Sequence, residues 1–163
     1  GDHMSVPAVA FSAYSGTGKT TLIEKLIPCL KSSGLRVAVI KHDAHHFEID
    51  HEGKDSWRFA KAGADTVILS SAEKTALVSA RPFSLNELIA QDQDVDLILV
   101  EGYKDTDLPR IGLFRSGAET GLSDELGNFL AVASDVKLDN CPVPCFDLND
   151  AESIAAFLIK TLL

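Results

Sequence analysis

The chain has 163 residues, of which 45% are hydrophobic, and it carries a formal net charge of −9. This length predicts one domain with a substantial core, and the apolar content excludes a disordered chain. Nucleic acids and anionic membranes attract clustered Lys and Arg, so an acidic chain is expected to bind neither. Residues 1–4 ("GDHM") are typical of an expression scar, which leaves 5–163 as the predicted domain.

The cysteines and the hydropathy pattern indicate the compartment. Cys29, Cys141 and Cys145 are an odd number and lack CxxC spacing, which favours reduced thiols over disulfides or a zinc ribbon. No apolar run approaches the length of a membrane span. We therefore expect a cytoplasmic protein.

The first half of the chain alternates strands and helices. The apolar run 6–12 predicts a buried strand that leads into a glycine loop. An amphipathic helix follows up to Gly34, with Pro28 inside it. Residues 35–43 predict a second strand, and a polar loop then leads to a short helix over 54–62.

The second half continues the alternation. Residues 65–71 and 74–80 predict two strands, and Ser84 with Glu87 has the spacing of a capping box that begins a helix. Further strands are predicted over 96–102, 110–115 and 128–134, and a mobile surface loop over 115–127. Asn149 and Glu152 predict the cap of a last helix. The pattern indicates an α/β fold with a mostly parallel central sheet and helices on both faces.

A phosphate-binding loop is predicted between the first strand and the first helix. Ala13 to Thr20 reads "AYSGTGKT", against the pattern G-x-x-x-x-G-K-[ST]. Loop amides and the helix N-terminus surround an anion, so the loop predicts a nucleotide triphosphate site. Ala13 replaces the usual glycine and fits only if its φ is below zero. The predicted ligands are the loop residues Ser15, Gly16, Thr17 and Gly18, with Lys19 on the β- and γ-phosphates, Thr20 on Mg²⁺ and Thr21 on the α-phosphate.

Two acidic residues are candidates for the second half of this site. Glu101 ends the most apolar strand in the chain and is our choice for the carboxylate that faces Mg²⁺. Asp43, just after the second strand, is a further candidate for positioning water or binding Mg²⁺. Together with Lys19, these two acids form the predicted catalytic set.

A histidine-rich segment follows the second strand. His42, His45, His46 and His51 lie close in sequence to Asp43, Glu48 and Asp50. Imidazoles and carboxylates suit zinc or nickel, but the spacing matches no metal signature. The alternative is a polar loop that lines the active site.

The motifs "GTGKTTLIEKLIP", "VIKHDAHHFEIDHEGKDS", "AGAD", "LILVEGYK" and "PRIGLFR" resemble the MobB family, the molybdopterin-guanine dinucleotide biosynthesis adapter proteins of the P-loop GTPase superfamily. The resemblance implies GTP and Mg²⁺ binding, weak GTP hydrolysis, a homodimer, and assistance to the guanylyltransferase that joins GMP to molybdopterin. It assigns phosphate binding to Gly16, Gly18, Lys19 and Thr20, and the Walker-B-like role to Glu101. The distinctive segment, predicted to line the site, contains His45, His46, Asp50, Lys54 and Asp55. Molybdopterin itself is a further candidate ligand.

The guanine contact and the class of activity leave alternatives open. "VKLD" at 136–139 partly matches the guanine-reading stretch of GTPases, so Asp139 is either a guanine acceptor or part of a surface turn. One rival function is a small-molecule kinase with Asp43 or Glu101 as base, although the chain lacks an arginine-rich lid. The other is a GTP-driven metallochaperone built on His42–His51.

Overall fold

The computed structural model describes residues 5–13, 18–43, 54–91, 94–103, 105–116 and 126–163. Within them the chain divides into two compact units. One contains the described residues up to His42 and from Leu88 onwards, and the other runs from Asp43 to Glu87. The expected single domain over 5–163 stays a prediction.

The first unit is built on a six-stranded sheet in the order β2-β5-β1-β6-β7-β8. All neighbouring strands in it run parallel. This confirms the predicted α/β class and the mostly parallel sheet. The strands are β1 (Ala8–Ala13), β2 (Val37–Lys41), β5 (Leu97–Glu101), β6 (Arg110–Phe114), β7 (Ala131–Ser134) and β8 (Cys145–Asp147).

The core forms where α1 (Lys19–Ser32) and the last helix, α4 (Ala151–Leu162), pack on one face of this sheet. Side chains alternate between the two faces of a strand, so every second residue of β1, β5 and β6 meets the helices. Val9, Leu99 and Leu113 are among these fully buried residues. Pro28 lies inside α1 without ending the helix, because the apolar stripe of α1 is buried both before and after the proline.

The second unit contains α2 (Asp55–Lys61) and a hairpin of β3 (Thr66–Ser70) and β4 (Thr75–Ser79). The two predicted strands are therefore confirmed, but they pair antiparallel in a sheet of their own. Val67 is buried, whereas Ile68 and Leu77, which lie directly opposite each other, are 60% and 52% exposed. The hairpin thus presents a pair of large apolar side chains to solvent.

The structure confirms one of the two helix caps predicted from the sequence and corrects the other. The capping box before α3 (Leu85–Gln91) is confirmed, since the Glu87 amide donates to Ser84 Oγ and the Ser84 amide donates to Glu87 Oε1. The cap predicted at Asn149 and Glu152 is wrong by one residue. Asp150 is the N-cap of α4, and its carboxylate accepts from the amide and hydroxyl of Ser153.

The short strand β8 has no counterpart in the sequence prediction. The predicted surface loop over 115–127 lies mainly outside the described residues, although Leu126, near its end, is buried in a 3₁₀ turn. No helix in the described part of the chain combines the length and apolarity that a bilayer crossing requires.

Candidate phosphate-binding site

The carboxyl ends of three adjacent strands meet the N-terminus of α1. β5, β1 and β6 are neighbours at the centre of the sheet. Phe11, Leu99 and Leu113 belong to the core on the α1 face. By the same alternation, the residues two positions later lie on that face: Ala13, Glu101 and Arg115. In parallel sheets this edge is where ligands bind. The fold therefore places Glu101, from β5, and Arg115, after β6, on the two sides of β1 at this edge.

The predicted magnesium pair is in contact. The Thr20 hydroxyl donates a hydrogen bond of 3.1 Å to Glu101 Oε1 across 81 residues of sequence. Glu101 is only 8% exposed, which is exceptional for a carboxylate. A hydroxyl that gives its proton to the carboxylate keeps its lone pairs for a cation. The two side chains thus supply hard oxygen donors of the kind Mg²⁺ prefers.

The described part of the loop is unstrained at Ala13. This residue ends β1 and pairs with Leu113, and among the described residues only Asn140 is a non-glycine with positive φ. The methyl group therefore fits, as the sequence argument required. Gly18 has a φ of 100° and precedes α1 without a side-chain cap, and no acid lies in the first helical turn. Ser15, Gly16 and Thr17 lie outside the described residues.

The segment after Glu101 packs against the end of β2. The His42 amide donates to the Glu101 carbonyl at 2.9 Å, and the rings of His42 and Tyr103 lie 4.8 Å apart between centroids. Burial raises the pKa of the Tyr103 hydroxyl, so this group stays protonated. Gly102, between Glu101 and Tyr103 in sequence, has a φ of 99°, and a Cβ added there would collide with the His42 carbonyl oxygen. These contacts fix the backbone that carries Glu101.

The remaining predicted residues are dispersed or undescribed. Asp43 is exposed just after β2, and Thr21 is exposed in the first turn of α1. Lys54 and Asp55 begin α2 in the second unit. His45, His46 and Asp50 lie outside the described residues. Within the described ranges, no three His, Cys, Asp or Glu side chains form a metal-binding group.

A cavity of about 360 Å³ lies at the carboxyl ends of β7 and β8. Lys137 lines it, as do Asp135 and Asp147, but Asp139 is not among its lining residues. Asp139 is exposed in the turn after β7. Asp135 accepts from the amide and hydroxyl of Ser116 at 2.7 and 3.1 Å, which ties the end of β6 to the mouth of this cavity.

Arg115 lies at this edge of the sheet and is not among the residues predicted from the sequence. Its guanidinium lies against Gly18, where an added Cβ would be 2.9 Å from one terminal nitrogen. The available signal was its spacing: Arg115 continues the alternation of Ile111 and Leu113 past the end of a strand at the ligand-binding edge.

A parallel sheet whose central strand leads through a Gly-Lys-Thr turn into a helix, with a carboxylate from the next strand on the threonine, defines a P-loop nucleotide-binding protein. The family model described as "Molybdopterin guanine dinucleotide synthesis protein B" (MobB) matches residues 8–135. The chain belongs to the MobB family.

Relatives and solved structures agree with this membership. The molybdopterin-guanine dinucleotide biosynthesis adapter protein of Escherichia coli is 42% identical over 95% of this chain and 93% of its own length. The Haemophilus influenzae adapter protein is 40% identical over 94% and 88%. Among crystal structures, a molybdopterin-guanine biosynthesis protein B superposes with a TM-score of 0.71 at 29% identity, covering 95% of this chain and 99% of its own. Bacillus subtilis MobB gives 0.74 at 26%, covering 96% and 98%.

Proposed function

We propose that this chain is a GTP-binding accessory protein of molybdenum cofactor biosynthesis, which assists the attachment of GMP to molybdopterin and hydrolyses GTP slowly. The observation that carries the nucleotide part is the hydrogen bond of 3.1 Å from Thr20 to the buried Glu101 at the start of α1. The adapter part rests on family membership and on relatives named as adapter proteins of molybdopterin-guanine dinucleotide biosynthesis.

The phosphate chain of the nucleotide lies over the N-terminus of α1 in this proposal. The unsatisfied amides and positive dipole end of the helix attract an anion, and the first turn itself contains no acidic residue. Lys19 adds a mobile charge that offsets charge developing on the terminal phosphate. Thr20 and Glu101 would hold Mg²⁺, which would offset negative charge on the phosphate oxygens.

The base lies, we propose, in the cavity at the ends of β7 and β8. β7 is two strands from β1, so at about 4.8 Å per strand the cavity begins about 10 Å from the phosphate loop. A nucleotide can span that distance. Lys137 offers an aliphatic stem and a charge to the base. Asp139 does not line this cavity, so its predicted role as a guanine acceptor requires its turn to move towards the base.

The protein works beside a guanylyltransferase and is proposed to supply or position the nucleotide for it. Slow hydrolysis is part of this proposal, with Asp43, which is exposed just after β2, as the remaining candidate for positioning water. The three cysteines are free thiols, which suits the cytoplasm, where such a partner would be found.

A homodimer is the proposed assembly. The exposed apolar pair Ile68 and Leu77 lies on a two-stranded hairpin. Isolated two-stranded hairpins are marginally stable in water, so this surface gains stability when it is covered. A second copy of the chain offers the same pair.

Substitution of Lys19 tests the phosphate site. Lys19→Ala removes a charge-assisted contact worth about 1.5–3 kcal/mol, so calorimetric titration should give a roughly 10- to 150-fold weaker GTP complex. Lys25→Ala, an exposed lysine on the same helix, is the matched control and should bind GTP like the unmodified chain. Equal GTP affinity in the Lys19 and Lys25 variants would contradict the site.

Glu101→Gln tests the magnesium pair in the same titrations. The amide oxygen can still accept from Thr20, but the negative charge is lost, so the gain in GTP affinity on adding Mg²⁺ should fall about tenfold or more. Glu24→Gln, an exposed carboxylate on α1, is the control. A panel of GTP, GDP and ATP on the unmodified chain tests the choice of base, since equal binding of GTP and ATP would refute a guanine site.

The adapter role needs the partner enzyme. We expect the rate at which a guanylyltransferase forms molybdopterin guanine dinucleotide from limiting GTP to rise when this chain is added, and the Lys19→Ala protein to give no rise. An unchanged rate with the unmodified chain would refute the accessory role and leave the nucleotide site standing.

A further inference from the structure

Arg115 follows β6 at the edge where the phosphate loop lies. β6 pairs with β1 in register, with Leu113 opposite Ala13, so the two strands end side by side at this edge of the sheet. Ile111 and Leu113 belong to the core on the α1 face. Arg115 is next in that alternation, and it extends over the beginning of α1.

The guanidinium lies directly against Gly18. A Cβ built on Gly18 would lie 2.9 Å from a terminal nitrogen of Arg115 and 3.0 Å from its Nε. A side chain at position 18 would displace the guanidinium from this position. Gly18 therefore has two reasons to be glycine: its φ of 100° and the arginine above it.

The Nε atom of Arg115 is buried and, among the residues that the structure describes, has no hydrogen-bond partner. A buried donor on a charged group costs free energy when nothing accepts from it. The ion pairs of the described residues are Arg36–Asp94 and Arg81–Glu87, and neither involves Arg115 or Lys19. The carboxylate of Glu101 accepts a hydrogen bond from Thr20.

Positive charge is thus concentrated at this point of an acidic chain. Lys19 lies in the first turn of α1, where the helix dipole disfavours a cation, and no acidic residue accompanies it there. Arg115 adds a second cation, whose guanidinium lies against Gly18, the residue before Lys19. An anion between them would accept from the buried Nε and offset all three positive sources.

We propose that Arg115 is a phosphate-binding residue of this site, which donates from Nε and a terminal nitrogen to two oxygens of the nucleotide's phosphate chain. The guanidinium fork matches the spacing of phosphate oxygens and binds them in pairs, which a lysine cannot do. The inference rests on the proposed nucleotide site and adds to it a ligand that comes from β6.

The experiment measures GTP and GDP affinity by calorimetry for the unmodified chain, Arg115→Gln, Arg115→Lys and Arg110→Gln. Arg110 is the matched control because it begins the same strand at the opposite edge, with its guanidinium 5.3 Å from the centre of the Phe129 ring. We expect Arg115→Gln to weaken both nucleotides about 10- to 100-fold, Arg115→Lys to recover part of this loss, and Arg110→Gln to stay within about twofold.

Two further readouts separate binding from structural support. Millimolar guanidinium chloride should strengthen GTP binding by Arg115→Ala and leave that of Arg110→Ala unchanged, because the free cation can fill the vacated position. Thermal unfolding establishes that each variant is folded. If Arg115→Gln does not fold, Arg115→Lys decides, with several-fold weaker binding expected.

The outcomes distinguish the two proposals. Unchanged GTP and GDP affinity in folded Arg115 variants, while Lys19→Ala loses binding, would overturn the inference alone. An unmodified chain that binds no GTP would overturn the proposed nucleotide site, and the role of Arg115 with it.

Discussion

Individual residues at the sheet edge differ in how far the sequence could reveal them. Glu101 was predictable because an apolar strand that ends in a carboxylate is unusual and the phosphate loop requires an acid nearby. Arg115 was not, because its function depends on contact with Gly18, which lies 97 positions earlier in the printed sequence. Strand pairing creates that contact, and periodicity alone does not specify which strands are neighbours.

Gly102 supports a prediction about the backbone next to Glu101. Gly102→Ala should destabilise the protein by more than the about 1–3 kcal/mol that a left-handed backbone alone costs, because the new methyl group also meets the His42 carbonyl. Urea denaturation measures the free energy of unfolding. A clash here also shifts the backbone of Glu101, so GTP affinity should fall together with stability.

Gly34→Ala is the control for this prediction. Gly34 also has a positive φ, 83°, but nothing lies within 4 Å of an added Cβ. It should therefore show the conformational cost alone, about 1–3 kcal/mol. Equal losses in the two variants would mean that the approach of the His42 carbonyl to Gly102 has no energetic consequence.

Whole elements were predicted more completely than their ends. The apolar runs and the helical stripe identified β1, β2, β5, α1 and α4, because burial imposes these periods directly. β8 was not predicted because its three residues, between two prolines and a helix cap, are too few to show a strand period. The α4 cap was misplaced because "NDAES" contains two overlapping capping patterns, and only the packing of the helix selects the one at Asp150.

The Asp150 cap gives a pH prediction for α4. The hydroxyl and then the amide of Ser153 hold the pKa of Asp150 below its usual value. A lowered folded-state pKa contributes stability that is complete above the unfolded-state pKa of about 3.9 and is lost as pH falls through the folded-state value. The unmodified chain should therefore lose stability relative to Asp150→Asn on acidification.

Asp150→Asn and Asp150→Ala separate charge from capping. Asparagine also caps helices but does not titrate, whereas alanine does neither. As the pH falls from neutral to about 3, below the unfolded-state pKa of about 3.9, the free energies of unfolding of the aspartate and asparagine forms should move closer together. A difference between them that is independent of pH would show that the Asp150 charge does not stabilise α4.

The whole molecule consists of two units, and the sequence indicated one of them more clearly. The parallel unit follows from apolar strands and the phosphate loop. The hairpin unit could be predicted as two strands but not as a separate antiparallel sheet, because 65–71 and 74–80 have the same apolar character as buried strands. The exposure of Ile68 and Leu77 has a functional explanation if another molecule covers this surface.

The apolar pair on that hairpin provides the prediction for the assembly. Ile68→Asp and Leu77→Asp should each leave the monomer folded, since both side chains are more than half exposed, 60% and 52%. A homodimer contains each substituted residue twice, and burial of such a side chain contributes about 1.5–3 kcal/mol, so the dissociation constant should rise on the order of 100-fold or more. Leu163→Asp, 51% exposed in the other unit, should leave it unchanged. Sedimentation velocity over a range of concentrations measures the constants. If the hairpin variants dimerise as tightly as the Leu163 variant, the second copy covers another surface.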